Sequence, residues 1–392
     1  MKPTRFAIIL VPIALVIASP AALAQSSVTI SGFFKMSLDN QKIGQSPRLA
    51  GLNSSETRLA DDSSRVIFNV AEDLGGGLAA IAQLEWRIAF DQGSDNIGGN
   101  NHVGLRSKTM GRIIVGRQDL HYLGRESNLT DLAGSQKADS ISLLAYAGGG
   151  ATAIAAATRT PNVIQYTSPN WGGFTLAAAY STSPNPGAAV AGVGAAGSVT
   201  ESDIGTTVRK GNAFNLNPTF VAPNWQVGYS YWNQKNDGGI GAAALATAAG
   251  GDQRADRLYG SFKVAGFKLG LAWDKSRIKS AAGATSGTEL SNRTAWSLPL
   301  SYVSGNNQFH FHYTKARDDS RTVEQDGAKM VALSYQYLFS KRTSVGITYA
   351  KITNDAGANY NFYFTGSLGS ASAVAAAGED PRMIAGTLRH AF

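Results

Sequence analysis

The chain has no cysteine and few charges. Asp, Glu, Lys and Arg make up 16% of its 392 residues, against roughly 25% in an average globular domain. Without cysteine there is no disulfide framework and no thiolate zinc site. Beyond the N-terminal segment no run of about 18 apolar residues occurs, which excludes a bundle of membrane-spanning helices. Low charge combined with 43% hydrophobic residues is not the composition of a wholly disordered chain either. Glycine, by contrast, is plentiful at 44 residues, and Lys+Arg exceeds Asp+Glu by 35 to 27, a formal net charge of +8. The length allows several domains or one very large all-β unit.

The first 24 residues read as an address. Lys2 and Arg5 give a basic start, Phe6 to Ala18 is mainly apolar, Ser19-Pro20 breaks the run, and Ala22-Leu23-Ala24 places small residues where a signal peptidase cuts. Residues 1–24 are therefore expected to be a signal peptide cleaved after Ala24, and 25–392 a single domain. A retained membrane anchor is the competing reading, but the apolar stretch is short for a span. Losing Lys2 and Arg5 lowers the formal charge from +8 to +6.

From Val28 onward the pattern has period two. Val28, Ile30, Phe34, Met36 and Leu38 share one face, and Thr29, Ser31, Phe33, Lys35, Ser37 and Asp39 the other. Leu84, Trp86 and Ile88 alternate with Gln83, Glu85 and Arg87; Leu269, Leu271 and Trp273 with Lys268, Gly270 and Asp274; Phe309, Phe311 and Tyr313 with His310 and His312. Strands with one apolar and one wet face look like this. Short connections rich in Gly, Pro, Asn and Ser (73–77, 107–111, 168–173, 222–224, 265–266, 304–307 and 340–342) alternate with long ones (40–62, 91–101, 119–162, 181–211, 234–253, 279–291, 318–327 and 354–381). Seven short and eight long connections join sixteen strands, with all turns at one end and all loops at the other. The Ala/Gly-rich stretches 184–200, 238–251 and 366–378 are expected to be external loops.

Period two does not say which face is inside. Aromatic residues crowd the apolar positions near strand ends (Trp225, Tyr229, Tyr231, Trp296, Tyr302), as in the interfacial girdles of membrane barrels. The chain also alternates to its last aromatic, Leu388-Arg389-His390-Ala391-Phe392. In lipid an open sheet edge is forbidden, so the last strand must close on the first. A ring of sixteen leaves an aqueous channel. The expected fold is an all-β, 16-stranded antiparallel transmembrane β-barrel.

Six stretches, in this order along nearly the whole mature chain, resemble the trimeric general porins of the Gram-negative outer membrane, particularly the β-proteobacterial branch. They are Val28-Thr29-Ile30-Ser31-Gly32, Glu72-Asp73-Leu74-Gly75-Gly76-Gly77-Leu78, Val115-Gly116-Arg117-Gln118, Tyr166-Thr167-Ser168-Pro169, Leu338-Phe339-Ser340-Lys341-Arg342-Thr343 and Leu388 to Phe392. The resemblance implies a homotrimer in the cell outer membrane, a third loop folded into each pore, and recognition of the Phe392 strand by the barrel-insertion machinery. On that analogy the loop from Asp119 to Asn162, with Asp119, Arg125, Glu126, Asp131, Lys137 and Asp139, bends inward. It would face a wall of Lys35, Arg65, Gln83, Glu85, Arg87 and Arg106. Opposed charges across a narrow opening would orient dipolar solutes. Two places depart from the family pattern: Lys35 stands where a carboxylate is common, and Asp131-Leu132-Ala133-Gly134 where the loop tip often has a Pro-Glu-Phe-Gly-Gly-like turn. Both argue against an acidic constriction, and the basic balance leans weakly towards anions.

Other motifs carry less. Gly192-Val193-Gly194-Ala195-Ala196-Gly197 matches a phosphate-loop spacing but lacks the strand and helix around it. His310 and His312 are two apart on one strand face without an evident third metal ligand, so lumen-facing imidazoles are expected. No nucleophile-elbow or paired-histidine zinc motif occurs. No dense Lys/Arg run suggests nucleic acid; basic residues near the outer leaflet would instead meet lipopolysaccharide phosphates. The reading is a water-filled channel for passive diffusion of small hydrophilic solutes and ions, with no reaction and no cofactor. The alternatives are a substrate-selective channel of the same family, and a secreted soluble β-protein that binds a ligand or surface.

Overall fold

A strand with one greasy and one wet face is stable where a low-dielectric medium meets one side and water the other, and each strand here is built that way. The computed structural model describes residues 26–44, 50, 54–121, 123–124, 126–130, 138–144, 154, 157–184, 211–235, 251–280, 286–321, 325–362 and 375–392. The expected signal peptide and most of the three Ala/Gly-rich stretches lie outside the described residues. The strands are β1 (Ser26–Gly44), β2 (Ser55–Asp61), β3 (Arg65–Gly75), β4 (Leu78–Ala89), β5 (Ser94–Asn96), β6 (Asn101–Ser107) and β7 (Gly111–Gln118). After a short helix α1 (Glu126–Thr130) come β8 (Thr160–Thr167), β9 (Phe174–Ser181), β10 (Asn212–Val221), β11 (Trp225–Lys235), β12 (Asp252–Val264) and β13 (Phe267–Lys279). The ring is completed by β14 (Glu289–Ser304), β15 (Asn307–Ala316), β16 (Ala328–Leu338), β17 (Thr343–Asn354) and β18 (Asp380–Ala391).

Every described pairing is antiparallel. β1 pairs along its upper half with β2 and along its lower half with β3, so these two strands form one stave broken at residues 62–64. β5 and β6 share β4 in the same way. Eighteen strands thus make sixteen staves among the described residues. β18 closes the ring on β1, from Phe33↔Ala391 to Gly44↔Asp380. Beyond that ladder the Gly32 and Phe392 backbones exchange two hydrogen bonds of 3.2 and 3.1 Å. Gly32 has φ 152°, and a Cβ there would lie 2.2 Å from the Arg65 carbonyl and 3.2 Å from the Phe392 ring, so only glycine lets the seam close.

The orientation is the one a membrane barrel requires. On β12, Leu258 is 50% exposed while Arg257 is 0% exposed; on β13, Leu271 is 52% exposed and Asp274 1%. The apolar face points out and the polar face points in. Outward rings adjoin the short turns in a run of contacts, Phe267–Tyr302, Tyr302–Phe309 and Phe309–Tyr335, with centroids 4.4, 6.4 and 5.2 Å apart. Phe220 stacks on Trp225 nearby. This is an aromatic girdle at one interface.

All seven short turns fall where the sequence placed them, and three of the long connections differ; the expected loop 91–101 contains the short strand β5 (Ser94–Asn96). The expected loop 40–62 is shorter, because β1 runs to Gly44 and β2 begins at Ser55. These ends are polar on both faces, as strands rising above the hydrocarbon into water can be. The connection 354–381, of which 366–378 was expected to be an external loop, turns inward at both described ends: Tyr360 and Phe362 are 4% exposed and Ala375 1%.

Candidate functional site: a lumen wall and the loop packed against the opposite side

Inward burial is uneven around the ring. On the far wall small residues recur at inward positions: Ala272, Ala295, Ala316, Ala332, Ala350 and Ala385 are all 0–1% exposed. Leu129, Ile141, Leu143 and Leu144 from the long connection after β7 fill the space these alanines leave, with Ala358, Tyr360 and Phe362 from the last connection. Its second half does the same higher up, where Ile154 and Ala157 join Trp232, Ala255 and Ile278. At Gly270 a Cβ would sit 2.8 Å from the Leu129 Cβ. On the near wall, by contrast, Phe33, Arg65, Asn69 and Gln83 face inward and stay half-exposed. The wetted lumen therefore lies against β1, β3 and β4.

Polar bonds hold the third long connection to the far wall. Arg257 lies wholly inside, pairs with Asp274 Oδ2 at 2.6 Å, and donates to the His121 and Leu123 carbonyls at 3.0 and 2.8 Å. His121 Nδ1 meets Ser230 Oγ at 2.8 Å and its Nε2 is 4.0 Å from Asp274. Burial first, and then the Arg257 guanidinium, hold this imidazole well below its usual range. Ser230, His121 and Asp274 line up like a hydrolytic triad, but at 0, 0 and 1% exposure they are sealed from any substrate; their chemistry is to anchor the loop. Ser301 Oγ donates to the Thr130 carbonyl and Gln226 Nε2 to that of Asn128, fixing α1.

The near wall gathers most of the expected cations with their counter-ions. The break at 62–64 folds inward, with Ser63 at φ 71°. Lys35 Nζ pairs with Asp62 at 2.9 Å. Glu85 Oε1 accepts Arg65 at 2.9 Å and lies 3.6 Å from Arg87. The Ser63 hydroxyl accepts both guanidiniums. Asn100, in the second broken stave, donates its N–H to Glu85 and its carboxamide to Asp119, and its carbonyl accepts Gln83. Sequence reasoning passed over Asp62, Ser63 and Asn100 because they sit in strand breaks, where parity gives no face. The polar run Asp61-Asp62-Ser63-Ser64 was the available signal.

Several expected positions are placed differently. Asp119 does not point across the opening: it accepts Asn100 at 3.3 Å, the Arg159 N–H at 2.8 Å and the Thr158 hydroxyl, tying the foot of the loop to the near wall. Asp139 caps the 3₁₀ turn Ser140–Ser142 and is 0% exposed, so it does not line the lumen. Arg106 is inward-facing but one residue from the end of β6, opposite Arg112 at the short-turn mouth and apart from the other cations; parity fixes a face, not a height. Glu126 opens α1. Arg125, Asp131 and Lys137 lie outside the described residues. His310 and His312 face inward, 6% and 0% exposed, with ring centroids 5.5 Å apart. No group of three metal-ligating side chains forms among the described residues.

Residues 12–357 match the family described as Gram-negative porin. The chain belongs to that family. Outer membrane porin protein 32 of Delftia acidovorans is 31% identical over 178 residues, covering 44% of this chain and 48% of that protein. The match thus spans about half the length of that curated relative. Among solved structures, the anion-selective porin from Comamonas acidovorans aligns with TM-score 0.70 at 22% identity, over 94% of this chain and all of that one. A Vibrio cholerae outer membrane protein, OmpT in its trimer form, aligns with TM-score 0.59 at 13% identity, over 94% and 99%. These likenesses at low identity establish that this porin has the barrel fold.

Proposed function

We propose that this porin is a water-filled channel in the outer membrane through which small hydrophilic solutes and ions diffuse passively, with a preference for anions. One observation carries the reading: an apolar exterior encloses a polar wall on which Arg65, Asn69 and Gln83 stay half-exposed beside the lumen. Arg65 is the most exposed charge of the cluster it forms with Lys35, Asp62, Glu85 and Arg87. Arg106 and Arg112 add two more cations towards the short-turn mouth. Fixed charges within a Debye length of about 8–10 Å set the local ion concentrations. The similar structure from Comamonas acidovorans is an anion-selective porin, which points the same way. The channel needs no cofactor and catalyses no reaction.

The mature chain begins after Ala24 in this reading, and residues 25–392 form one barrel that assembles as a homotrimer. Lipopolysaccharide around the outer rim and the barrel-insertion machinery acting on the Phe392 strand are its further partners. Zero-current potential in a planar bilayer under a salt gradient tests the function. Stepwise conductance with the sign of anion preference is expected; the opposite sign overturns the selectivity, and no conductance overturns the channel. Mobility in SDS with and without boiling tests the trimer.

A further inference from the structure

The last long connection leaves β17 at Asn354 and returns into β18, and its two described ends are tied inside the barrel at one residue. The Asn354 carboxamide donates to the Tyr360 carbonyl at 2.9 Å and to the Glu379 carbonyl at 2.6 Å, and its oxygen accepts the Tyr360 N–H at 3.1 Å. Gly378 donates its N–H to the Ala358 carbonyl at 2.8 Å, so the two limbs also bond to each other. From there the outgoing limb crosses the wall. Asn354, Ala328, Ala316 and Ala295 form one inward row across β17, β16, β15 and β14. Arg293 is the next inward residue on β14 towards the long-loop mouth. Tyr360 reaches it: the hydroxyl meets the guanidinium, and the ring centroid lies 5.1 Å from the guanidinium carbon. Three inter-strand steps of about 4.8 Å, about 14 Å in all, separate the tie on β17 from this contact on β14. Residues 355–360 therefore run across the inner faces of β16 and β15.

The contact has a physical reason. Arg293 is 3% exposed and Tyr360 4%. A guanidinium taken out of water needs partners, and a tyrosine offers both a ring face and a hydroxyl. The alanines of the row leave the depth a crossing backbone needs. Ala358, Tyr360 and Phe362 pack there in one cluster with Leu129 and Ile141 of the third long connection. Two connections of different origin thus meet on the same wall, and each takes width from the lumen. We propose that the last connection, latched to Arg293 by Tyr360, is a second constriction element, in which Tyr360 and Phe362 help to set the largest solute the channel admits. The inference rests on the reading of this chain as a water-filled channel and adds to it a determinant of solute size that is independent of charge.

Neutral sugars are the probe, because their passage reports width and not field. Swelling rates of liposomes carrying the purified channel are compared in arabinose and in raffinose. Tyr360→Ala should raise the raffinose-to-arabinose ratio about threefold, since passage of a solute close to the bore depends steeply on pore diameter. Single-channel conductance should rise with it. Tyr360→Phe keeps the ring on Arg293 and should stay near the unaltered ratio, which a loss of the hydroxyl alone does not widen. Phe362→Ala leaves the latch in place and should raise the ratio by less than Tyr360→Ala. Lys341→Gln, on a short turn, should match the unaltered channel. Unboiled SDS mobility identifies variants that have folded. An unaltered ratio in folded Tyr360→Ala overturns the second constriction and leaves the proposed function standing; where that variant does not fold, an unaltered ratio in Phe362→Ala does the same. Liposomes that carry the unaltered channel and do not swell in arabinose overturn both.

Discussion

At Glu85 one carboxylate serves two guanidiniums and one backbone N–H, so its charge counts more than that of any rim acid. Glu85→Gln keeps the shape and removes the charge, leaving Arg65 and Arg87 uncompensated beside the water. A unit charge at about 4 Å is worth about 1 kcal/mol in water, so the anion-to-cation permeability ratio should rise about two- to fivefold, read from the zero-current potential. A fall in that ratio would show that Glu85 does not shape the field in the lumen. His121 gives a second residue-scale prediction, with a definite sign. An imidazole released from the barrel interior takes a proton near pH 6.5. The docked one, held well below its usual range by burial and then by Arg257, does not. The undocked state therefore binds more protons as pH falls below about 6.5, and docking of the loop weakens by up to about 1.4 kcal/mol per pH unit until the docked imidazole titrates. Current fluctuations in a bilayer should grow between pH 7 and pH 5, and His121→Asn should flatten that dependence. The charged wall was legible in the sequence because Lys35, Arg65, Glu85 and Arg87 obey period two. Their partners were not, since Asp62, Ser63 and Asn100 occupy breaks where no parity applies.

At the scale of elements the barrel divides labour between its walls. Alanines at inward positions of β13 to β18 make room for the leucines of the third long connection, and Gly270 admits Leu129. Gly270→Val would press a branched side chain into Leu129 and Pro299, where the glycine now leaves 2.8 Å. Overpacking of this kind costs typically about 1–3 kcal/mol. The segment that yields should be α1 and not the strand, whose ladder is held on both sides. Larger and noisier single-channel conductance with unchanged barrel stability is the expected outcome; unchanged conductance would mean that α1 does not bound the channel. The last long connection offers the companion case. Tyr360 donates its N–H to Asn354 Oδ1 on β17 and meets Arg293 through its hydroxyl and its ring, 5.1 Å from the guanidinium. The short/long alternation of connections was readable because turn chemistry is local: Gly, Pro, Asn and Ser set the backbone by themselves. The inward turn of residues 355–362 was not read, because it depends on an alanine-lined wall contributed by distant strands. The spaced aromatics Tyr360 and Phe362 inside a loop were its only local trace.

For the whole molecule the decisive event is closure, since a sixteen-stave sheet with two open edges cannot remain in hydrocarbon. The seam is a long ladder, twelve residue pairs from Phe33↔Ala391 to Gly44↔Asp380. It consists of the β1–β18 ladder, the Gly32–Phe392 backbone exchange, and a ring contact in which Phe392 lies 4.9 Å from Phe34. Phe34 in turn meets Phe90 edge-on at 4.7 Å, carrying the contact across the broken second stave to the end of β4. Because β1 and β18 are the most distant strands in sequence, their pairing carries the highest loop-closure cost and forms late. Contacts made at the seam should therefore act on the closing step and on resistance to reopening, not on the formation of the hairpins. Phe392→Ala removes the ring while keeping the backbone pair with Gly32. The lost ring contact is worth roughly 0.5–1.5 kcal/mol beyond its buried area. Refolding from urea into detergent micelles should slow at the step that restores heat-modifiable mobility, while strand content measured by circular dichroism recovers at the unaltered rate. Equal slowing of both signals would place the seam in the early nucleus and refute late closure. The same variant examined after folding should open at a lower temperature, because the Phe392–Phe34 ring contact is lost from the seam.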